Sequence, residues 1–128
     1  MQKFEDYLEE MYELYLKSEL ITSKEIVKRL GVSRSSVSQM LRKLKKENYI
    51  DFKPYGNITL LEKGIKIGKK ISETHEVLEL LFEKLRIDKK TALNDIHGLE
   101  HFLSERTLER IKKLNKHLDK FPLKDDTN

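Results

Sequence analysis

Six side chains able to ligate a metal through nitrogen or oxygen recur at helical spacing: Asp6 and Glu9, then His75, then His97, Glu100 and His101. Residues three or four apart share one face of a helix, so Asp6/Glu9, His97/Glu100 and His97/His101 each present paired donors. Imidazole and carboxylate together suit divalent first-row cations. The chain contains no cysteine, which excludes disulfides and thiolate ligands and leaves only N and O donors.

Each group also has a blander reading. Asp6 and Glu9 lie among other acids, as solvated surface residues do. His75 falls on an apolar stripe, where a lone histidine is more often a hydrogen-bonded core residue than a ligand. Glu100 is harder to explain away. At about 100° per residue it falls on the side of Leu93, Ile96 and Leu103. A carboxylate facing a core is costly unless it is paired. Neutral His97 and His101 beside it offer lone pairs rather than charge, and a divalent cation satisfies all three at once. The same residues, His97-Gly-Leu-Glu-His101, match the H-x-x-E-H pattern of a class of zinc hydrolases. A chain of 128 residues is short for a fold with a substrate cleft, and a hydrolase leaves the basic region below without a purpose. The expectation is therefore not an enzyme, with no small organic substrate.

The elements that must position these donors can be read from caps and periodicity. Residues 3–17 read as an amphipathic helix with Phe4, Leu8, Met11, Tyr12 and Tyr15 on one face. Thr22-Ser-Lys-Glu25 is a capping box that opens a short second helix, and Gly31 closes it. Ser33 caps a third helix, whose Val37, Met40, Leu41 and Leu44 face inward. Tyr49–Lys53 and Ile58–Leu61 are strand candidates around the turn Pro54-Tyr55-Gly56-Asn57. Helix, helix, turn, helix and hairpin is the order of a winged helix-turn-helix, with 33–46 as the recognition helix. A long helix follows from about Glu62 to Leu85, with Ile67, Ile71, His75, Leu78, Phe82 and Leu85 as its stripe. Further helices are expected over 90–103 and 105–118. The fold expected is mainly α: a DNA-binding domain over 1–61, an all-helical dimerisation and metal-binding domain over 62–120, and a frayed tail over 121–128. The second unit buries little by itself, so a homodimer is expected through it.

Charge is unevenly spread. Between Lys24 and Lys53 nine bases accompany three acids, whereas Met1 to Leu20 holds six acids and two bases. A basic stretch on a helix-turn-helix fits double-stranded DNA. Hydroxyls and an amide at the start of the recognition helix reach phosphates and base edges. The candidate DNA contacts are Ser33, Arg34, Ser35, Ser36, Ser38, Gln39, Arg42 and Lys43, with Lys53 and Tyr55 from the wing. The alternative is a cap and a solvated lysine face. No apolar run is long enough to span a membrane, and the residues after Met1 are polar rather than those of a signal peptide, so a cytoplasmic protein is expected.

Several segments together resemble the DtxR/MntR family of metal-dependent transcriptional repressors. They are Glu5-Asp-Tyr-Leu-Glu-Glu-Met-Tyr12, Val32-Ser-Arg-Ser-Ser-Val-Ser38, Tyr55-Gly-Asn-Ile-Thr-Leu60, His75-Glu-Val-Leu-Glu79 and Gly98-Leu-Glu-His101. The resemblance covers about residues 4–118 and is closest to the two-domain, manganese-type members. It implies a metal held by Asp6, Glu9, His75, Glu100 and His101, with His97 where the family usually has Glu or Cys. It further implies a dimer that binds a palindromic operator when metal is present and represses genes of metal-ion homeostasis. Mn(II) or Fe(II) is the favoured ion, with Zn(II), Co(II) or Ni(II) open because His97 makes the site nitrogen-rich. A metal-independent winged-helix regulator is the competing reading.

Overall fold

The computed structural model describes residues 2–53 and 56–124. Its elements are α1 (Gln2–Leu16), α2 (Ser23–Leu30), α3 (Arg34–Lys46), β1 (Ile50–Phe52), β2 (Ile58–Leu60), α4 (Glu62–Lys84), α5 (Lys89–Leu99) and α6 (Glu105–Lys120). They form two compact units, Met1–Ser72 and Glu73–Asn128, with α4 passing from one into the other.

In the first unit the caps act where the sequence places them. Thr22 Oγ1 accepts from Glu25 N–H (3.1 Å), and Gly31 ends α2 in the left-handed region at φ 65°, donating to Val27 O. That conformation is open to glycine without the steric cost an L side chain incurs. Ser33 Oγ accepts from Ser36 N–H at the start of α3. β1 and β2 pair antiparallel with Ile50 opposite Leu60 and Phe52 opposite Ile58, and Ile21 adds a bridge to Ile58. Leu8, Met11, Leu14, Ile26, Val37, Leu41, Leu44 and Ile50 fill the core. Full burial of each large member is worth about 1.5–3 kcal/mol.

The buried face of α1 differs from the expected stripe. Tyr7 and Leu14 are buried, while Tyr15 is 47% exposed. The helix is enclosed on two sides, because it packs on α2 and also closely on the first half of α4. A Cβ at Gly68 would stand 2.6 Å from Tyr12 Cβ and 2.8 Å from Leu8 O. Only a glycine lets the two helices approach this closely.

In the second unit Leu78, Leu81, Phe82, Ala92, Ile96 and Leu118 form a separate core. Asn115 Nδ2 donates to Val77 O (3.1 Å) and Lys84 pairs with Asp119, so α6 is tied to α4 at two points. Asp88 and Ser104 cap α5 and α6. The helix expected over 90–103 stops at Leu99. Glu100 N–H still bonds Ile96 O, but Phe102 N–H bonds Leu99 O, one residue nearer in sequence. The tightened turn leaves Glu100 to Leu103 as the connection to the Ser104 cap. His97, Glu100 and His101 therefore do not all lie on one helix. Residues 125–128 of the expected tail lie outside the described residues.

Candidate metal centre and nucleic-acid interface

Glu100 is the centre of the donor cluster in the second unit. It is the C-cap of α5, its backbone still in the right-handed helical region, and its side chain is 1% exposed. Oε2 lies 2.7 Å from His75 Nδ1, and Oε1 lies 3.7 Å from His101 Nε2 and 4.0 Å from His97 Nδ1. The other ring nitrogen of His75 is 3.3 Å from Glu79 Oε2. The rings of His97 and His101 meet edge to face at 6.4 Å. His101 is buried with Glu100, His75 is half-buried, and His97 is largely exposed. α4 contributes His75 and Glu79, α5 contributes His97 and Glu100, and the turn after it contributes His101.

His75 and His101 beside a buried carboxylate are donor types that suit a divalent cation, while His97, exposed and 4.0 Å from Glu100, stands at the edge of the cluster. A buried carboxylate needs positive charge or several hydrogen bonds, and imidazoles supply either protons or lone pairs. A bound cation would take the neutral rings of His75 and His101 and the Glu100 carboxylate as N and O ligands. Asp6 and Glu9 stand one turn apart on α1, both half-buried. Of the six expected ligands, the second unit thus brings together His75, His97, Glu100 and His101. Glu79, which closes the segment His75–Glu79 singled out in the sequence, joins them through His75.

The basic face belongs to the first unit. A groove of about 810 Å³ runs between α2, α3 and the wing, with Lys24, Arg34, Ser38, Arg42, Lys45, Lys53 and Asn57 along it. Arg34, Ser35, Ser36, Ser38, Gln39, Arg42 and Lys43 are exposed on or beside α3, as is Lys53 on the wing. Ser33 is occupied as a cap, its hydroxyl donating to Ser36 Oγ (2.9 Å). Arg42 donates to Ser38 Oγ at 3.4 Å. Tyr55 lies outside the described residues. Lys45 is committed to the wing: its Nζ donates to Phe52 O (2.8 Å), lies 3.6 Å from Asp51 and stands over the Phe52 ring. Lys24 and Asn57 are additions that the sequence did not single out. Lys24 could have been found, because the first helix of a helix-turn-helix crosses the DNA backbone. Asn57 reaches the groove only through the hairpin's fold.

A winged helix-turn-helix joined to a helical unit with a buried N/O donor cluster defines a metal-responsive DNA-binding regulator. The chain belongs to the iron-dependent repressor family: residues 1–58 match its N-terminal DNA-binding domain, and residues 61–127 match its metal-binding and dimerisation domain. It is 42% identical over 114 residues to an uncharacterized HTH-type transcriptional regulator of Methanocaldococcus jannaschii, covering 87% of this chain and 90% of that one. It is 36% identical over 110 residues to the HTH-type transcriptional regulator MntR of Bacillus subtilis, covering 86% and 78%. Among solved structures, that of the manganese regulator SloR superposes with a TM-score of 0.77 at 29% identity, over 89% of this chain and 54% of that one. The chain thus spans about half the length of that structure. Family members are transcriptional regulators rather than enzymes, which leaves the H-x-x-E-H match without a catalytic meaning. Among the described residues no helix is long and apolar enough to cross a membrane.

Proposed function

We propose that the protein is a metal-activated repressor of metal-ion homeostasis genes that binds a palindromic operator as a homodimer in the cytoplasm. The observation that carries the reading is the side chain of Glu100, 1% exposed and ringed by His75, His97 and His101. Asp6, Glu9, His75, His97, Glu100 and His101 hold the divalent ion. Similarity to the manganese regulator SloR supports Mn(II), and membership of the iron-dependent repressor family supports Fe(II) as the other favoured ion. His97 departs from the usual Glu or Cys of the family and enlarges the share of nitrogen donors, which raises the relative affinity for Fe(II), Co(II), Ni(II) and Zn(II).

Asp6 and Glu9 act as the switch. Without metal they are a concentration of negative charge on α1; with metal they become ligands, and α1 is held. Metal shifts the population of DNA-competent dimers only to the extent that it binds that arrangement more tightly. Leu80, Leu99 and Phe102 on the second unit are exposed large apolar groups that a dimer through this unit would cover. Ser35, Gln39, Arg42 and Lys43 on α3, with Lys24 and Lys53 beside it, contact the operator.

The test is the double variant Asp6→Ala/Glu9→Ala, assayed against a labelled operator duplex selected from a random pool at fixed salt. Loss of Mn(II)-stimulated binding with a cooperative melt retained is the expected result. Operator binding at an unchanged Mn(II) concentration would remove the switch from α1.

A further inference from the structure

We propose that Arg29 is the positioning residue that couples α1 to the DNA-reading helices, so that metal capture by Asp6 and Glu9 is felt at α3. This rests on the metal-switch reading above. Arg29 lies on α2 and makes three carboxylate contacts at once: Nη1 to Glu10 Oε2 (2.9 Å), Nη1 to Glu13 Oε2 (3.2 Å) and Nε to Glu25 Oε1 (3.4 Å). Its side chain is 21% exposed, so the fork is largely withdrawn from solvent. Glu10 and Glu13 lie on one face of α1, three residues apart. Glu9 points about 100° away from Glu10, on the adjacent face. A single turn of α1 therefore carries a metal ligand on one side and the Arg29 contact on the next.

The apolar core also joins α1 to α2 and α3, through Leu8, Met11, Ile26, Val37 and Leu41. The free energy of such burial is non-directional. A planar guanidinium has fixed donor directions, so it adds an oriented polar constraint to the register of α1 on α2 that packing sets. Without it, Glu10, Glu13 and Glu25 are three like charges across one helix contact. α2 in turn packs on α3, which completes the route from ligand to recognition helix within one unit.

The test compares the parent chain with Arg29→Gln and Arg29→Lys, each checked for a cooperative melt. Three quantities are read: operator affinity under chelation, operator affinity with saturating Mn(II), and Mn(II) affinity without DNA. The ratio of the two operator affinities should fall by about tenfold in Arg29→Gln, within the usual range of coupling, while Mn(II) affinity stays within about threefold of the parent. Arg29→Lys keeps the charge but not the fork and should restore part of the ratio, which also serves if the glutamine variant fails to fold. A purely structural role would lower operator affinity equally with and without metal, and that result, or an unchanged ratio, would overturn the proposal. If the parent itself shows no Mn(II) effect, the metal-switch reading fails, and the coupling role fails with it.

Discussion

The α3–wing groove and the Glu100 cluster are two polar regions of this protein built in opposite ways. The groove is open: Arg34, Ser38, Arg42 and Lys53 along it are exposed. The cluster is largely closed: Glu100 and His101 are 1% and 2% exposed at the side chain, His75 is half-buried beside them, and only His97 at its edge is open to solvent. An open cationic surface binds by many contacts, each worth little and each weakened by salt. A closed donor set works through a few groups that cannot be left uncompensated. Affinity for DNA should therefore erode gradually under substitution, and the metal response should fail all at once.

Glu100→Ala is the sharpest way to break this contrast. At a metal concentration a hundredfold above its Kd, the parent should gain about 2.7 kcal/mol of stability. The variant should gain none, and its operator binding should no longer respond to Mn(II); melting curves with and without the ion check this. A variant that kept the metal-induced rise would show that the cluster is structural.

On the groove side, Arg42→Ala should weaken operator binding by about 1–3 kcal/mol where the arginine reads a base. Lys24→Ala should instead reduce the salt dependence by about one ion, as for a phosphate contact. Neither should alter the Mn(II) affinity measured without DNA. Titrations at several salt concentrations separate the two roles, and a changed metal affinity in either variant would blur the division drawn above.

Ser33→Ala should cost about 1 kcal/mol of stability, because Ser33 Oγ satisfies the Ser36 N–H at the start of α3. Chemical denaturation measures it. Loss of operator affinity beyond the loss of folded protein would give Ser33 a direct DNA role as well.

The smallest effect expected concerns the second unit at acid pH. The Thr91 backbone N–H and hydroxyl hold the Asp88 carboxyl below its ordinary value. A depressed carboxyl contributes stability that is present above its unfolded value near about 4 and is lost as pH falls through the lower folded value. Asp88→Asn keeps an acceptor at the cap, so the melt at neutral pH should change little while this acid-side loss disappears. Melting temperatures from pH 7 down to the acid limb compare the two proteins.

The two regions also differ in how far the sequence discloses them. The winged helix was readable because its boundaries are chemical: Thr22, Gly31 and Ser33 act as caps by local hydrogen bonds and backbone preference. The burial of Glu100 was readable from the phase of buried Ile96, although Leu93, expected on the same face, is exposed and α5 stops at Leu99. Periodicity says nothing about the 2.7 Å contact of His75 with Glu100, because those residues are 25 apart in the chain and meet only through the packing of α4 and α5. Tyr7 and Leu14 escaped for the same reason, since a second packing partner for α1 leaves no mark on a single-stripe pattern. Nor does charge counting show that Lys45, one of the nine bases between Lys24 and Lys53, is held against Phe52 and Asp51 by the fold.

The most direct test of the central claim is operator affinity across a metal series at fixed salt. The chelated protein is titrated with Mn(II), Fe(II), Co(II), Ni(II) and Zn(II) in turn, against the selected palindromic duplex. A steep rise in affinity with Mn(II) or Fe(II), abolished by Glu100→Ala, is the predicted result. Equal binding with and without every ion would contradict it, and would make this chain a winged-helix regulator whose histidine cluster serves only its fold.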